Sequence, residues 1–117
     1  MHIVSNGEGI SGLGNNMVRV LNSSIVRNRG RGVVCSRSCH VEGSIISEND
    51  GVGVTMGSGT VLGNTITANE SFGIALDPGG AGIGFGNNTL TGNNNNEAQV
   101  SDGVVPLQPN VCVPACP

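Results

Sequence analysis

One residue pattern recurs along this chain every 20 to 24 residues and limits the fold more than any other feature. Asparagine marks each unit, at Asn28, Asn49, Asn69 and Asn93. An aliphatic residue stands three positions before each one, at Ile25, Ile46, Ile66 and Leu90. A fixed period of this length is typical of repeat architectures, in which each unit buries its apolar side against its neighbours.

Within each unit the apolar residues alternate with other residues. Counted from the asparagines, the aligned rows are Val20, Val41, Val61 and Phe85, then Val33, Val54, Ile74 and Ala98, then Cys35, Met56, Leu76 and Val100. A spacing of two indicates β-strands, and the units are shorter than the ~30 residues of a strand with its crossover helix. The pattern predicts an all-β solenoid of about five coils, with three short strands in each coil.

The composition supports a thin but ordered core. The 117 residues include 20 glycines and no Trp or Tyr, and only 11% of them are charged. Disordered chains usually combine low hydrophobicity with high net charge, whereas the net charge here is −3. The chain has no general basic character for nucleic acid and no apolar run of the ~18 residues that span a membrane. Neither nucleic acid nor a membrane is therefore an expected partner.

Two segments are expected, with residues 1–103 forming the coils and residues 104–117 forming a C-terminal tail or cap. The second segment contains four of the five prolines and the Cys112/Cys116 pair. Proline removes a backbone donor from the strand ladder, so we do not expect regular strands there.

The stretch from Val61 to Leu76, V-L-G-N-T-I-T-A-N-E-S-F-G-I-A-L, carries a family resemblance. It resembles the right-handed parallel β-helix proteins that include pectate lyases, and more closely the N-x-I-x-x-N…G-I repeat of carbohydrate-associated β-helix proteins. The resemblance covers about residues 3 to 100 and implies a right-handed parallel β-helix. It matches no single enzyme of the family residue by residue, so catalytic residues stay unassigned.

The four anchor asparagines are predicted to be a structural ladder at a sharp bend, since asparagine tolerates left-handed backbone and its amides stack from coil to coil. The alternative is that they bind sugar hydroxyls. The same alignment places Arg27 over Glu48 and Arg29 over Asp50. Arg31 and Arg37 have no predicted partner.

One outward strand face carries the candidate ligand-binding residues Arg19, His40 and Glu42. The resemblance implies that the first strand of each coil faces a ligand. A histidine beside a carboxylate also suits proton transfer, but solvent-facing polar side chains are the ordinary alternative. The carboxylates do not cluster as calcium requires, so no metal or cofactor is expected. The threonines are not expected to form the regular flat array of an ice-binding face.

The cysteines form two C-x-x-x-C pairs, Cys35/Cys39 and Cys112/Cys116. Disulfides, buried free thiols and a four-thiolate metal site are the three alternatives. An even number of cysteines in a short chain favours disulfides and an oxidising compartment, and the resemblance also favours an extracellular or periplasmic location.

The expected function is that of a small non-catalytic module that binds carbohydrate, such as a polysaccharide, or a protein partner through one flat sheet face. An assembly piece that forms homo-oligomers through the ends of the solenoid is the alternative. A polysaccharide lyase or hydrolase fragment is the third. The lack of Trp and Tyr counts against sugar stacking.

Overall fold

The computed structural model describes residues 1–12, 17–114 and 116, and these fold into short strands that wind around one axis. The strands are β1 (His2–Val4), β2 (Ile10–Gly12), β3 (Val18–Leu21), β4 (Ser24–Val26), β5 (Val33–Cys35), β6 (Cys39–Glu42), β7 (Ile45–Ser47), β8 (Val54–Met56), β9 (Ser58–Leu62), β10 (Thr65–Thr67), β11 (Ile74–Leu76), β12 (Gly82–Gly86), β13 (Thr89–Thr91), β14 (Val104–Pro106) and β15 (Val111–Val113). A 3₁₀ turn spans Asn94–Asn96.

Strands of successive coils stack on one another and form three parallel sheets. Sheet 1 has the order β1-β4-β7-β10-β13-β15, sheet 2 has β2-β5-β8-β11, and sheet 3 has β3-β6-β9-β12-β14. The predicted all-β solenoid of about five coils with three short strands each is confirmed. The predicted rows are also the paired residues in the first four coils, as in Ile25 with Ile46 and Ile46 with Ile66.

The core is a narrow column of aliphatic side chains inside the three sheets. Its fully buried members include Ile25, Ile46, Ile66, Val41 and Val61, each at 0% exposure. Burying one such side chain stabilises a fold by about 1.5–3 kcal/mol. A single coil has no partner for these groups, so the stability comes from stacking.

The predicted asparagine ladder is confirmed at the corner between sheets 1 and 2. The side-chain amide of Asn49 donates to Asn69 Oδ1 at 2.9 Å, and the backbone N–H of Asn49 donates to the same oxygen at 3.1 Å. Asn28 bonds Asn49 in the same way, and Asn69 bonds Asn93. Gln99 then ends the ladder, because its side-chain oxygen accepts both donors of Asn93.

The bend itself is made by the residue before each asparagine, and here the prediction was wrong. Arg27, Glu48 and Ala68 have left-handed backbone, with φ of 54°, 56° and 56°. The asparagines instead keep their amides buried in the corner, where each one receives and donates bonds between coils. The residue outside the corner therefore takes the strained conformation.

A second ladder occupies the corner between sheets 3 and 1, and the sequence analysis did not identify it. Ser44 donates its backbone N–H to Asn64 Oδ1 at 2.9 Å. The Asn64 amide donates to Asn88 Oδ1 at 3.1 Å, and the Asn88 amide donates to Asn110 Oδ1 at 3.0 Å. Two of the three corners are thus held by side-chain amides.

The glycines that follow the anchors lie against the next coil. A Cβ on Gly53 would lie 2.6 Å from the carbonyl oxygen of Gly73 and 3.0 Å from Nδ2 of Asn69. Any side chain there would push the coils apart and disturb the ladder, so close approach explains this row.

The last coil differs from the prediction in two ways. Ile74 pairs with Val100 rather than with Ala98, because the 3₁₀ turn changes the register by two residues. Residues 104–117 also contribute two strands, since β14 pairs with β12 and β15 pairs with β13. Pro106 is tolerated because β14 is the edge strand of sheet 3. The expectation that this tail holds no regular strand was wrong.

Candidate functional site

The outward face of sheet 3 carries all three candidate ligand-binding residues. Pairing of β3 with β6 sets Arg19 beside His40 and Leu21 beside Glu42. Pairing of β6 with β9 sets His40 beside Thr60. The sequence alignment predicted these neighbours, and the strand register has them.

His40 is the centre of this face, because its ring contacts residues on two coils. Its Nε2 lies 2.8 Å from Glu42 Oε1, and its Nδ1 lies 2.6 Å from Thr60 Oγ1. The Glu42 carboxylate accepts from Nε2–H, so in the neutral ring Nδ1 accepts from the Thr60 hydroxyl. His40 is only 26% exposed, and both contacts fix its ring plane.

Arg19 is exposed and has no ion pair among the residues that the structure describes. It borders a solvent-open hollow of about 380 Å³, whose other lining residues are Met1, Ile10, Val20, Leu21 and Ser23. Leu21 and Leu62 lie on either side of Glu42 in the neighbouring row. The face therefore combines one available cation, one fixed His–Glu–Thr network and two apolar side chains.

The other charged residues have mostly structural contacts. The predicted Arg27–Glu48 pair is confirmed, at 3.6 Å between Nε and Oε2 and with both side chains more than half exposed. Arg31 has a partner that was not predicted, because its Nη2 donates to Glu8 Oε1 at 2.9 Å and its backbone N–H to Glu8 Oε2 at 2.6 Å. The ion pairs of the described residues do not include Arg29 with Asp50.

The cysteines are joined in the structure as Cys35–Cys39 and Cys112–Cys116. Cys35 and Cys39 face the core at 1% and 3% exposure. Over the described residues there is no group of three or more His, Cys, Asp and Glu side chains that could hold a metal ion. No helix in that part of the chain is long and apolar enough to cross a membrane.

The threonines lie on three sheets, and four of them come together on the outward face of sheet 1. Thr65 pairs with Thr89, and Thr67 pairs with Thr91. Four of the chain's threonines therefore form a two-by-two array on β10 and β13. The repeat alignment already contained this register, but the preceding coils carry Ser, Val and Ile there and obscured it.

The stacked parallel coils define the chain as a β-solenoid. It has amide ladders at two corners and the His40, Glu42 and Thr60 contacts on sheet 3. The family described as "Right handed beta helix region" matches residues 2–107. The chain therefore belongs to the right-handed β-helix family. No curated protein matches the chain, and no solved structure does.

Proposed function

We propose that this protein is a non-catalytic module that binds carbohydrate on the outward face of sheet 3. The observation that carries the proposal is the fixed His40 ring, which contacts Glu42 and Thr60 beside the exposed Arg19. Binding sites generally hold a small number of polar groups in set positions beside apolar surface. The face has both, on strands whose positions the coil stacking fixes.

The chemistry suits a ligand with many hydroxyls and some negative charge, such as an acidic oligosaccharide. The Arg19 guanidinium offers several donors to a carboxylate or to hydroxyls. Glu42 is more than half exposed and uses one carboxylate oxygen for His40, so its second oxygen is available to a sugar hydroxyl. Leu21 and Leu62, on either side of Glu42, offer apolar surface to the ring carbons. Because the chain has no Trp or Tyr to stack on a sugar ring, we expect weak binding.

The test is a titration with neutral and acidic oligosaccharides, in which NMR or calorimetry measures the binding affinity. Arg19→Ala should weaken acidic-sugar binding by about tenfold or more, since hydrogen bonds to charged groups contribute about 1.5–3 kcal/mol. His40→Ala should weaken both ligand classes. Arg29→Ala removes the same charge from an exposed corner outside sheet 3 and should change nothing. Equal effects of Arg19→Ala and Arg29→Ala would reduce the result to overall charge.

Assembly through the solenoid ends is the second candidate. Sheet 1 ends at β15, where Val111 and Val113 are about 60% and 58% exposed. Edge strands with exposed apolar residues invite pairing with another chain. Light scattering across a wide concentration range tests this candidate, and a purely monomeric species at high concentration would rule it out.

We place the protein in an extracellular or periplasmic compartment. The two joined cysteine pairs support this, because disulfides persist in oxidising environments and are rare in the cytosol. A lyase or hydrolase activity is the least supported function. His40 and Glu42 contact each other on an open sheet face, and a two-carboxylate mechanism needs a second acid at a set separation across the substrate.

A further inference from the structure

We propose that the outward face of sheet 1 binds the ordered water lattice of an ice surface. This site is separate from the carbohydrate face on sheet 3. Its outward positions form two rows, His2, Ser24, Ile45, Thr65, Thr89 and Val111 in one and Val4, Val26, Ser47, Thr67, Thr91 and Val113 in the other.

The outward face of sheet 1 carries no arginine and no acidic residue. The chain contains 13 Arg, Asp and Glu residues, yet none of them stands in either row. At the edge that follows the strands, the positions beside β10 and β13 are Ala68 and Gly92, whereas Arg27 and Glu48 occupy the same place in earlier coils. The part of the face on β10 and β13 therefore has no charged side chain at the edge that follows these strands. A neutral surface fits a neutral ligand and gives no favourable contact to a polyanion or a charged lipid.

The same face is rich in hydroxyl groups. Six of the eight outward positions on β4, β7, β10 and β13 are Ser or Thr. Side-chain hydrogen bonds in the described part of the chain go to the ladders, the corners and sheet 3, and none uses these six hydroxyls. The hydroxyls are thus available to a ligand on a surface whose backbone groups are already paired within the sheet.

The spacing of these hydroxyl groups follows the spacing of the strands. Neighbouring strands in a sheet lie ~4.8 Å apart, so equivalent hydroxyls on Thr65 and Thr89 repeat at about that distance. Water molecules joined by tetrahedral hydrogen bonds of about 2.75 Å place second neighbours about 4.5 Å apart. The mismatch is about 0.3 Å per coil and reaches about 1 Å over four coils. Two neighbouring coils, such as those that carry Thr65 and Thr89, therefore match the spacing of a water lattice to about 0.3 Å.

The side chains and the strands of this face are rigid. Threonine and valine have few χ1 rotamers, and the strands beneath them are held by ladders at both adjoining corners. The methyl and hydroxyl groups are thus positioned before binding, and little side-chain entropy is lost on contact. A crystalline neutral polysaccharide is the competing ligand, but such ligands are commonly bound through exposed Trp or Tyr side chains, and this chain has neither residue.

The test uses fluorescently labelled full-length protein and a slowly growing ice surface. We expect the unmodified protein to adsorb into the ice and to slow recrystallisation. Thr89→Lys should reduce the adsorbed fraction to that of a non-binding protein, since the lysine disrupts the lattice contact. Val105→Lys is the matched control, because Val105 is an outward residue of sheet 3 on β14, the strand that follows β13, and is 56% exposed. This control should still adsorb.

Circular dichroism and thermal melting establish that each variant folds, and Thr91→Lys repeats the test in the second row. Two results would overturn the proposal: no adsorption by the unmodified protein, or equal adsorption by Thr89→Lys and Val105→Lys. Binding to microcrystalline cellulose or chitin that Thr89→Lys abolishes, without adsorption to ice, would also overturn it. The sugar titration of sheet 3 should not change in Thr89→Lys, so the two proposals can fail independently.

Discussion

Asn69 donates twice to one atom of Asn93. Its side-chain amide lies 2.8 Å from Asn93 Oδ1, and its backbone N–H lies 3.0 Å from the same oxygen. The Asn69 amide also donates to the carbonyl oxygen of Ile46 at 3.1 Å, so the residue contacts the coils on both sides. Because Asn69 is 2% exposed, water cannot replace these bonds without opening the corner.

Asn69→Ala should therefore lower the free energy of unfolding by about 3 kcal/mol, because buried groups left without partners cost about 1–3 kcal/mol each. The orphaned groups are the Ile46 carbonyl and the two donors of Asn49 that now bond Asn69. Chemical denaturation measures the change. Asn6 is exposed at the end of the ladder, where its backbone N–H donates to Asn28 Oδ1, so Asn6→Ala should cost less than about 0.5 kcal/mol. Similar losses in both variants would show that burial of the ladder contributes little.

Ala68→Gly should raise the free energy of unfolding by about 0.5 kcal/mol. Ala68 has φ of 56°, a left-handed conformation that costs an L-residue about 1–2 kcal/mol and that glycine adopts without this cost. Glycine also loses more backbone entropy on folding, and this loss offsets part of the gain in stability. Gly92 already occupies the equivalent position one coil later. Ala81→Gly is the control, because Ala81 is also exposed but has ordinary backbone. It should destabilise slightly, and a gain in both variants would contradict the explanation from backbone strain.

Thr55→Val should stabilise the protein by about 1 kcal/mol, since an unpaired buried hydroxyl carries a desolvation cost of about 1–3 kcal/mol. Thr55 Oγ1 is the one buried side-chain N or O atom in the described residues that lacks a hydrogen-bond partner. Its neighbours in the row are Val34 and Ala75, so a valine fits the same surroundings. Thr60→Val makes the same chemical change where the hydroxyl contacts His40, and it should destabilise. Thermal melts that shift in the same direction would contradict this account.

Removing either disulfide should cost about 2 kcal/mol, the loop-closure value for a link between residues four positions apart. We expect that alkylation in denaturant labels no cysteine until reductant is added. Denaturation of Cys35→Ala/Cys39→Ala and Cys112→Ala/Cys116→Ala then measures each pair. Labelling of the denatured protein without reductant would show that at least one pair exists as free thiols.

The sequence predicted the fold because apolar residues and the anchor asparagines recur at the same positions of successive coils. The second ladder was missed because its corner carries Ser23 and Ser44 in the earlier coils, so asparagine repeats only from Asn64 onward. The Glu8 partner of Arg31 was missed because it lies in the first coil, ahead of the aligned anchors.

The candidate site was predicted to the extent that strand register determines it. Alignment placed Arg19 beside His40, but it could not show that the His40 ring turns toward Glu42 and Thr60. Side-chain rotation depends on local hydrogen bonds, and the repeat does not encode these bonds. The register of Val100 failed for a related reason, since the 3₁₀ turn at Asn94–Asn96 occurs in that coil alone.

The ladders also restrict how the length of such a chain can change during evolution. A tandem duplication of one whole coil presents the same acceptors on one side and the same donors on the other, so it adds a rung without altering the rest. A deletion of a few residues within a strand moves every later asparagine out of its corner. Small insertions are accommodated at corners, because residues 77–81 lengthen one coil between β11 and β12 and the 3₁₀ turn at Asn94–Asn96 lengthens another between sheets 1 and 2. Inherited length changes should therefore be whole turns, or small additions at the corners.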